Sequence, residues 1–285
     1  MSFGDRLAGV FASEGRLCVG IDPHEHLLQS WGLPASADGV RAFGLAVVAA
    51  TVGRAGIVKP QVAFFERYGS AGYAALEEVL AAARDAGLLV IADAKRGDIG
   101  TSVTAYAEAW LTPGSPLEAD AMTIAAFQGV GSIAEPMRLA ESAGKGLFVL
   151  AATSNPEAAA IQQAVVASGA HSGLTVARAI IEDVSSFNQA QAQHAFGSIG
   201  LVLGATLDLA DFGIVTTASA RVNASPVLAP GFGHQGARVA DAARLFGSLA
   251  GGVIVSESRG LLGGGPDGLA DAIAARADEV RSSHV

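Results

Sequence analysis

A single cysteine in 285 residues excludes an intrachain disulfide, and with it the disulfide-stapled secreted scaffolds. Charge is also sparse: Asp, Glu, Lys and Arg make up 16% of the chain, and the net charge is −9. That balance argues against a nucleic-acid binder, which needs clustered Lys and Arg to neutralise phosphates. A local basic pocket for one small anion stays open. Long apolar runs are missing too. Mean hydropathy is high at +0.41, yet Gly, Arg or Asp interrupts every apolar stretch before the ~18 residues that a membrane-spanning helix needs. The start, MSFGDRLAGVF, lacks the basic head and apolar core of a secretory signal. These features point to a cytoplasmic protein with neither membrane nor nucleic acid as partner. Cys18 lies inside the apolar stretch LCVGI and reads as a small core residue, not a catalytic thiol. No GxSxG elbow, Walker loop or CxxC pair occurs.

What the chain does have is regular alternation. Short apolar blocks at 17–21, 56–59, 88–93, 121–124, 147–151, 199–203, 227–229 and 253–255 are strand candidates. Ala-rich segments of helical period lie near 39–53, 70–86, 101–111, 132–142, 174–192, 207–217, 237–248 and 267–280. Eight βα repeats with buried strands predict a parallel sheet closed into a (β/α)8 TIM barrel. A doubly wound open sheet is the alternative. It more often brings a Gly-rich fingerprint after the first strand, where GIDPHEH stands instead. Residues 3–13, within an N-terminal segment 1–16, predict an extra helix. The connection 154–197, between strands five and six, is long enough for two more. No linker interrupts the pattern, so 1–285 reads as one domain.

In such a barrel, chemistry sits where strands end and loops begin. Those positions hold Asp22, Lys59, Asp93, Lys95, Asp98, Thr123, Ser154, Gln235, Ser258 and Arg259. Seven strands thus aim ionisable or hydrogen-bonding groups at one rim. In VIADAKRGDIG, Asp93 and Lys95 are two apart and share one face of an extended strand, and Asp98 follows on the loop or the next helical turn. A lysine flanked by carboxylates is held charged. It is then a poor Schiff-base nucleophile but a good proton donor, or a stabiliser of developing negative charge. A salt-bridge cluster closing the barrel mouth would account for D-x-K-x-x-D equally well.

VLAPGFGHQGA and VIVSESRG tip that balance. They put glycine-rich turns after strands seven and eight, where these barrels build phosphate sites from backbone N–H groups. Gly231 and Gly260 are candidate substrate-binding positions in those turns, and Arg259 offers a planar fork of donors to phosphate. A small phosphorylated substrate fits this set. His24 and His26 form an H-x-H beside Asp22 but have no third ligand at recognisable spacing, so no metal site is assigned. His234 lies in the second-last turn.

CVGIDPH, VKPQVAFFE, DAKRGDIG, LAATSNP, APGFGHQG and SRG occur in one order along nearly the whole chain. In these stretches the sequence resembles the orotidine 5′-phosphate decarboxylase family, specifically its longer bacterial (type 2) subgroup. The resemblance implies decarboxylation of orotidine 5′-phosphate to uridine 5′-phosphate without a cofactor. Lys95 would protonate C6, with Asp93 against the substrate carboxylate. Asp98 would reach across a homodimer to the ribose. Asp22 and Lys59 would bind ribose hydroxyls, Lys59 also bridging to Asp93. Ser154 would hold the pyrimidine amide edge, Gln235 the phosphate region and Arg259 the phosphate itself. Thr123 is a further binding candidate. Ser102 stands where the family usually has threonine, which implies a modest change in ribose contact. Two rivals are a sister phosphosugar enzyme forming an enediolate on magnesium, and a non-catalytic nucleotide-binding barrel. The first needs a metal-binding carboxylate that the rim does not obviously supply. The second leaves unexplained why an aspartate would face an anionic ligand.

Overall fold

The eight apolar blocks form eight parallel strands: β1 (Leu17–Ile21), β2 (Ile57–Pro60), β3 (Leu89–Arg96), β4 (Ala121–Ala125), β5 (Gly146–Ala152), β6 (Ile199–Leu203), β7 (Val227–Pro230) and β8 (Val253–Glu257). β1 pairs with β2 on one side and β8 on the other, so the sheet closes into a barrel in chain order. Closure removes the open-sheet alternative. The computed structural model describes residues 1–191, 194–217 and 224–283. Among them no helix is long and apolar enough to cross a membrane.

Alternation along each strand sorts the side chains. Cys18, Ile57, Leu89, Ile91, Phe148 and Ile254 fill the barrel interior. Their neighbours Val19, Val58, Val90, Val149 and Val255 pack outward in the larger cluster beneath the helices. The extra N-terminal helix, Phe3–Ser13, is present, and its Phe3 plugs the barrel floor. Phe3 meets Phe148 edge-on at 5.9 Å. Gly146 and Gly200 leave the room these rings take up: a Cβ would lie 2.6 Å from Phe3 at the first and 2.5 Å from Phe148 at the second.

Six predicted helices are present as Ala37–Thr51, Gly69–Asp85, Gly100–Leu111, Ala134–Ala143, Val176–Gln189 and Leu269–Ser282. Two predictions need correction. The expected helix 207–217 is only a 3-10 turn, Leu209–Phe212. The Asp208 side chain caps it by accepting from the Ala210 N–H, Gly213 turns left-handed at φ 67°, and the β-branched run Ile214, Val215, Thr216, Thr217 disfavours continuation. The expected helix 237–248 is broken into a 3-10 turn, Val239–Asp241, and a short helix, Ala242–Phe246, ended by Gly247 at φ 49°. The long β5–β6 connection holds one short helix, Ala159–Gln162, an antiparallel bridge between Val165 and Thr175, and the long helix Val176–Gln189.

Candidate active site

The alternation that fills the barrel also carries polar side chains to its C-terminal mouth. On β2 the inward series runs Ile57, Lys59 and, just past the strand, Gln61. On β3 it runs Leu89, Ile91, Asp93, Lys95, and on β4 Ala121, Thr123. These series converge on Asp93. Its Oδ2 lies 3.0 Å from Lys59 Nζ and accepts from the Gln61 amide at 3.0 Å. Its Oδ1 lies 2.7 Å from Lys95 Nζ and accepts from the Thr123 hydroxyl at 2.8 Å. Asp93 and Lys59 are buried, whereas the Lys95 side chain is 48% exposed at the mouth. Burial pushes the Asp93 carboxyl up, but Lys59 and then Lys95 outweigh it and hold it well below the usual carboxylate range. Burial likewise works against the Lys59 ammonium, yet Asp93 and Asp22 outweigh it and hold its pKa above the ordinary lysine value.

Lys95 has φ 46°, and every other described residue with positive φ is a glycine. For a side chain with a Cβ that conformation costs about 1 kcal/mol or more. Its N–H donates to Thr123 Oγ1 at 2.9 Å, and the β3–β4 register shifts between Ala92 and Arg96. Thr123 is buried, and its hydroxyl is engaged by both members of the Asp93–Lys95 pair. It therefore orders the pair from below.

A cleft of about 260 Å³ adjoins this array, lined in part by Asp22, Lys59, Gln61, Gly231, Gln235 and Arg259. Asp22 Oδ1 and Ser258 Oγ are inaccessible and have no hydrogen-bond partner. Arg259 opens the short helix Arg259–Leu262, and no carboxylate among the described residues pairs with it. Gly260 does not line the cleft. A Cβ there would lie 2.1 Å from Glu257 Oε1, and one at Gly233 would lie 2.2 Å from the same atom. These glycines make room for a buried glutamate, which pairs with Arg276 at 2.8 Å. Burial raises the Glu257 carboxyl pKa against the opposing pull of Arg276.

Other expected site residues stand apart. Ser154 is exposed after β5, and Ser102 is exposed in the first turn of helix Gly100–Leu111. Asp98 Oδ1 accepts only the neighbouring Ile99 N–H, at 2.9 Å, and makes no described contact with Asp93 or Lys95. His24 packs at a tilt against Phe64, with ring centroids 4.3 Å apart, and against His26 at 5.3 Å; burial lowers its pKa. Among the described residues, no three or more His, Cys, Asp or Glu side chains group as a metal site. Cys18 is buried, with its thiol pushed up to about 12 by desolvation. Sequence reasoning overlooked Gln61 and Glu257. Counting two beyond Lys59 would have found Gln61, whereas only folding brings Glu257 against Gly233 and Gly260.

The family model described as "Orotidine 5′-phosphate decarboxylase / HUMPS family" matches residues 15–266. An orotidine 5′-phosphate decarboxylase from Salinispora tropica is 48% identical over 266 residues, covering 93% of this chain and 91% of that protein. One from Corynebacterium efficiens is 45% identical over 267 residues, covering 93% and 91%. Among solved structures, the Leishmania donovani OMP decarboxylase superposes with a TM-score of 0.77 at 29% identity, covering 100% of this chain and 99% of that one. A Streptomyces avermitilis crystal structure, provisionally described as an orotidine 5′-phosphate decarboxylase, gives a TM-score of 0.90 at 43% identity, covering 99% and 96%.

Proposed function

This chain belongs to the orotidine 5′-phosphate decarboxylase / HUMPS family, and we propose that it converts orotidine 5′-phosphate to uridine 5′-phosphate and carbon dioxide without a cofactor, Lys95 protonating C6. It is a carboxy-lyase of the last step in de novo pyrimidine nucleotide synthesis. The observation that carries the reading is the Lys59–Asp93–Lys95 array, whose Lys59 lines a cleft shared with Arg259, an arginine that no carboxylate among the described residues pairs with.

The chemistry asks for such an array. When the C6–carboxylate bond breaks, the electron pair stays on C6, and no ring position can take it up. An ammonium fixed at that carbon stabilises the developing charge without reorganisation, then gives up its proton as the new C–H bond forms. Lys95 supplies that ammonium. Asp93 lies against the departing carboxylate and, held by its three other donors, keeps Lys95 in place. Asp22 and Lys59 hold the ribose hydroxyls; that both line the cleft supports this. Ser154 holds the pyrimidine amide edge, Gln235 and the Gly231 turn the phosphate region, and Arg259 the phosphate. Closing the far end of the substrate on Arg259 spends remote binding energy on ordering the charged array.

Asp98 acts across a homodimer, touching the ribose in the neighbouring subunit, and Ser102 adds a ribose contact. The support is the exposed apolar surface around them, where Ile99, Tyr106 and Phe127 all face solvent in the single chain. A crystal structure with uridine 5′-phosphate tests the arrangement. The expected result puts C6 nearest Lys95 Nζ, the phosphate on Arg259 and Gln235, and Asp98 of a second copy at the ribose. A nucleotide bound with its phosphate away from Arg259, or a ribose met by no second subunit, would contradict it.

A further inference from the structure

We propose that Arg96 is a positioning residue which, anchored by Glu66 and Tyr73, holds Lys95 in its left-handed backbone conformation and so aims the Lys95 ammonium. The inference rests on the decarboxylase reading for its kinetic consequence only. A lysine at φ 46° returns to the extended or right-handed region unless the chain is fixed on both sides of it. On the preceding side the hub around Asp93 supplies that fixing, and the Lys95 N–H is tied to Thr123.

On the following side Arg96 supplies it. One guanidinium nitrogen donates to Glu66 Oε1 and to the Tyr73 hydroxyl, both at 3.1 Å. The Tyr73 hydroxyl in turn donates to the same Glu66 oxygen at 3.0 Å. The other nitrogen donates to the Ala94 carbonyl at 3.3 Å, so the Arg96 side chain closes a bracket around Lys95 from the residue before it to the residue after. The guanidinium also lies 5.7 Å from the Tyr106 ring centroid. Arg96 thus ties the end of β3 to the short helix Ala63–Glu66, to Gly69–Asp85 and to Gly100–Leu111. A planar fork with several donors can make these contacts together, whereas a single ammonium cannot.

The test pairs kinetics with crystallography on Arg96→Met and Tyr73→Phe. Misplacing a reacting group by about 1 Å can cost ~10²-fold in rate, and Arg96→Met is expected to lower kcat by ~10- to 100-fold with KM little changed. Tyr73→Phe, which removes one partner, should give a smaller loss, and Arg96→Lys should restore activity in part. In crystals of Arg96→Met, Lys95 should leave the left-handed region and its 2.7 Å contact with Asp93 should lengthen. Wild-type kcat in that variant, a rise confined to KM, or an unmoved Lys95 despite lost activity would each overturn the proposal. If Arg96→Met does not fold, the same readouts on Tyr73→Phe decide. If the wild-type protein does not decarboxylate orotidine 5′-phosphate, the functional reading falls, and the Lys95 backbone in the variants still decides this one.

Discussion

Replacing Lys95 with alanine is expected to abolish measurable turnover, lowering kcat by ~10³-fold or more, since both charge stabilisation and the proton are lost. The protein should remain folded. The Lys95 side chain is half exposed, and its partner Asp93 keeps Lys59, Gln61 and Thr123. Its thermal midpoint should therefore stay near that of the wild type while activity disappears. That separation marks a residue placed for chemistry, not for holding the barrel shut. Initial rates at saturating orotidine 5′-phosphate, alongside a melting curve, check it. Wild-type turnover by the alanine variant would remove Lys95 from the mechanism.

The second large effect falls on stability. Lys59→Met breaks an ion pair with both members buried, a change that typically costs about 3–5 kcal/mol because one charge is left uncompensated. Asp93 keeps Lys95 at 2.7 Å, so the lower end is expected, a fall of roughly 10 °C in thermal midpoint. The pH dependence follows from the two shifts. Asp93 has its folded pKa depressed below the ordinary 3.8, so its contribution is present above that value and is lost as pH falls through the folded one. Lys59 has its folded pKa raised above 10.5, so its contribution is present below that value and is lost as pH rises through the folded one. Wild-type stability from this pair is flat between those limits. In Lys59→Met the carboxyl loses its strongest Coulombic partner, so its folded pKa moves back towards 3.8 and the acid loss should be smaller and complete at higher pH than in the wild type. Urea midpoints measured from about pH 3 to 7 should show the lower plateau and the altered acid loss. Superimposable profiles would show that the pair contributes nothing.

The barrel was legible because short apolar blocks separated by helical-period segments have few other ways to bury both faces of a strand. The site was legible to the extent that strand alternation carries it. Ile57 inside the barrel predicts Lys59 inside, and Ile91 predicts Asp93. Spacing alone did not foresee the backbone at Lys95. Two residues apart on an extended strand predicts a shared face, and the face is shared, but through a left-handed residue at a shifted register that no local pattern announces. Arg96 was invisible for a related reason, since Glu66 and Tyr73 lie 30 and 23 residues away and meet it only after the helices pack. The 207–217 segment misled because its apolar spacing suits a helix, while Gly213 and four β-branched residues break one.

The most direct test of the central claim is the loss of orotidine 5′-phosphate absorbance with purified protein in excess EDTA, with the product identified. The account predicts rapid, complete conversion to uridine 5′-phosphate, unaffected by the chelator. Folded protein that leaves the nucleotide untouched, or turns it over only when magnesium is restored, would contradict it and move the Asp93–Lys95 array to phosphosugar chemistry.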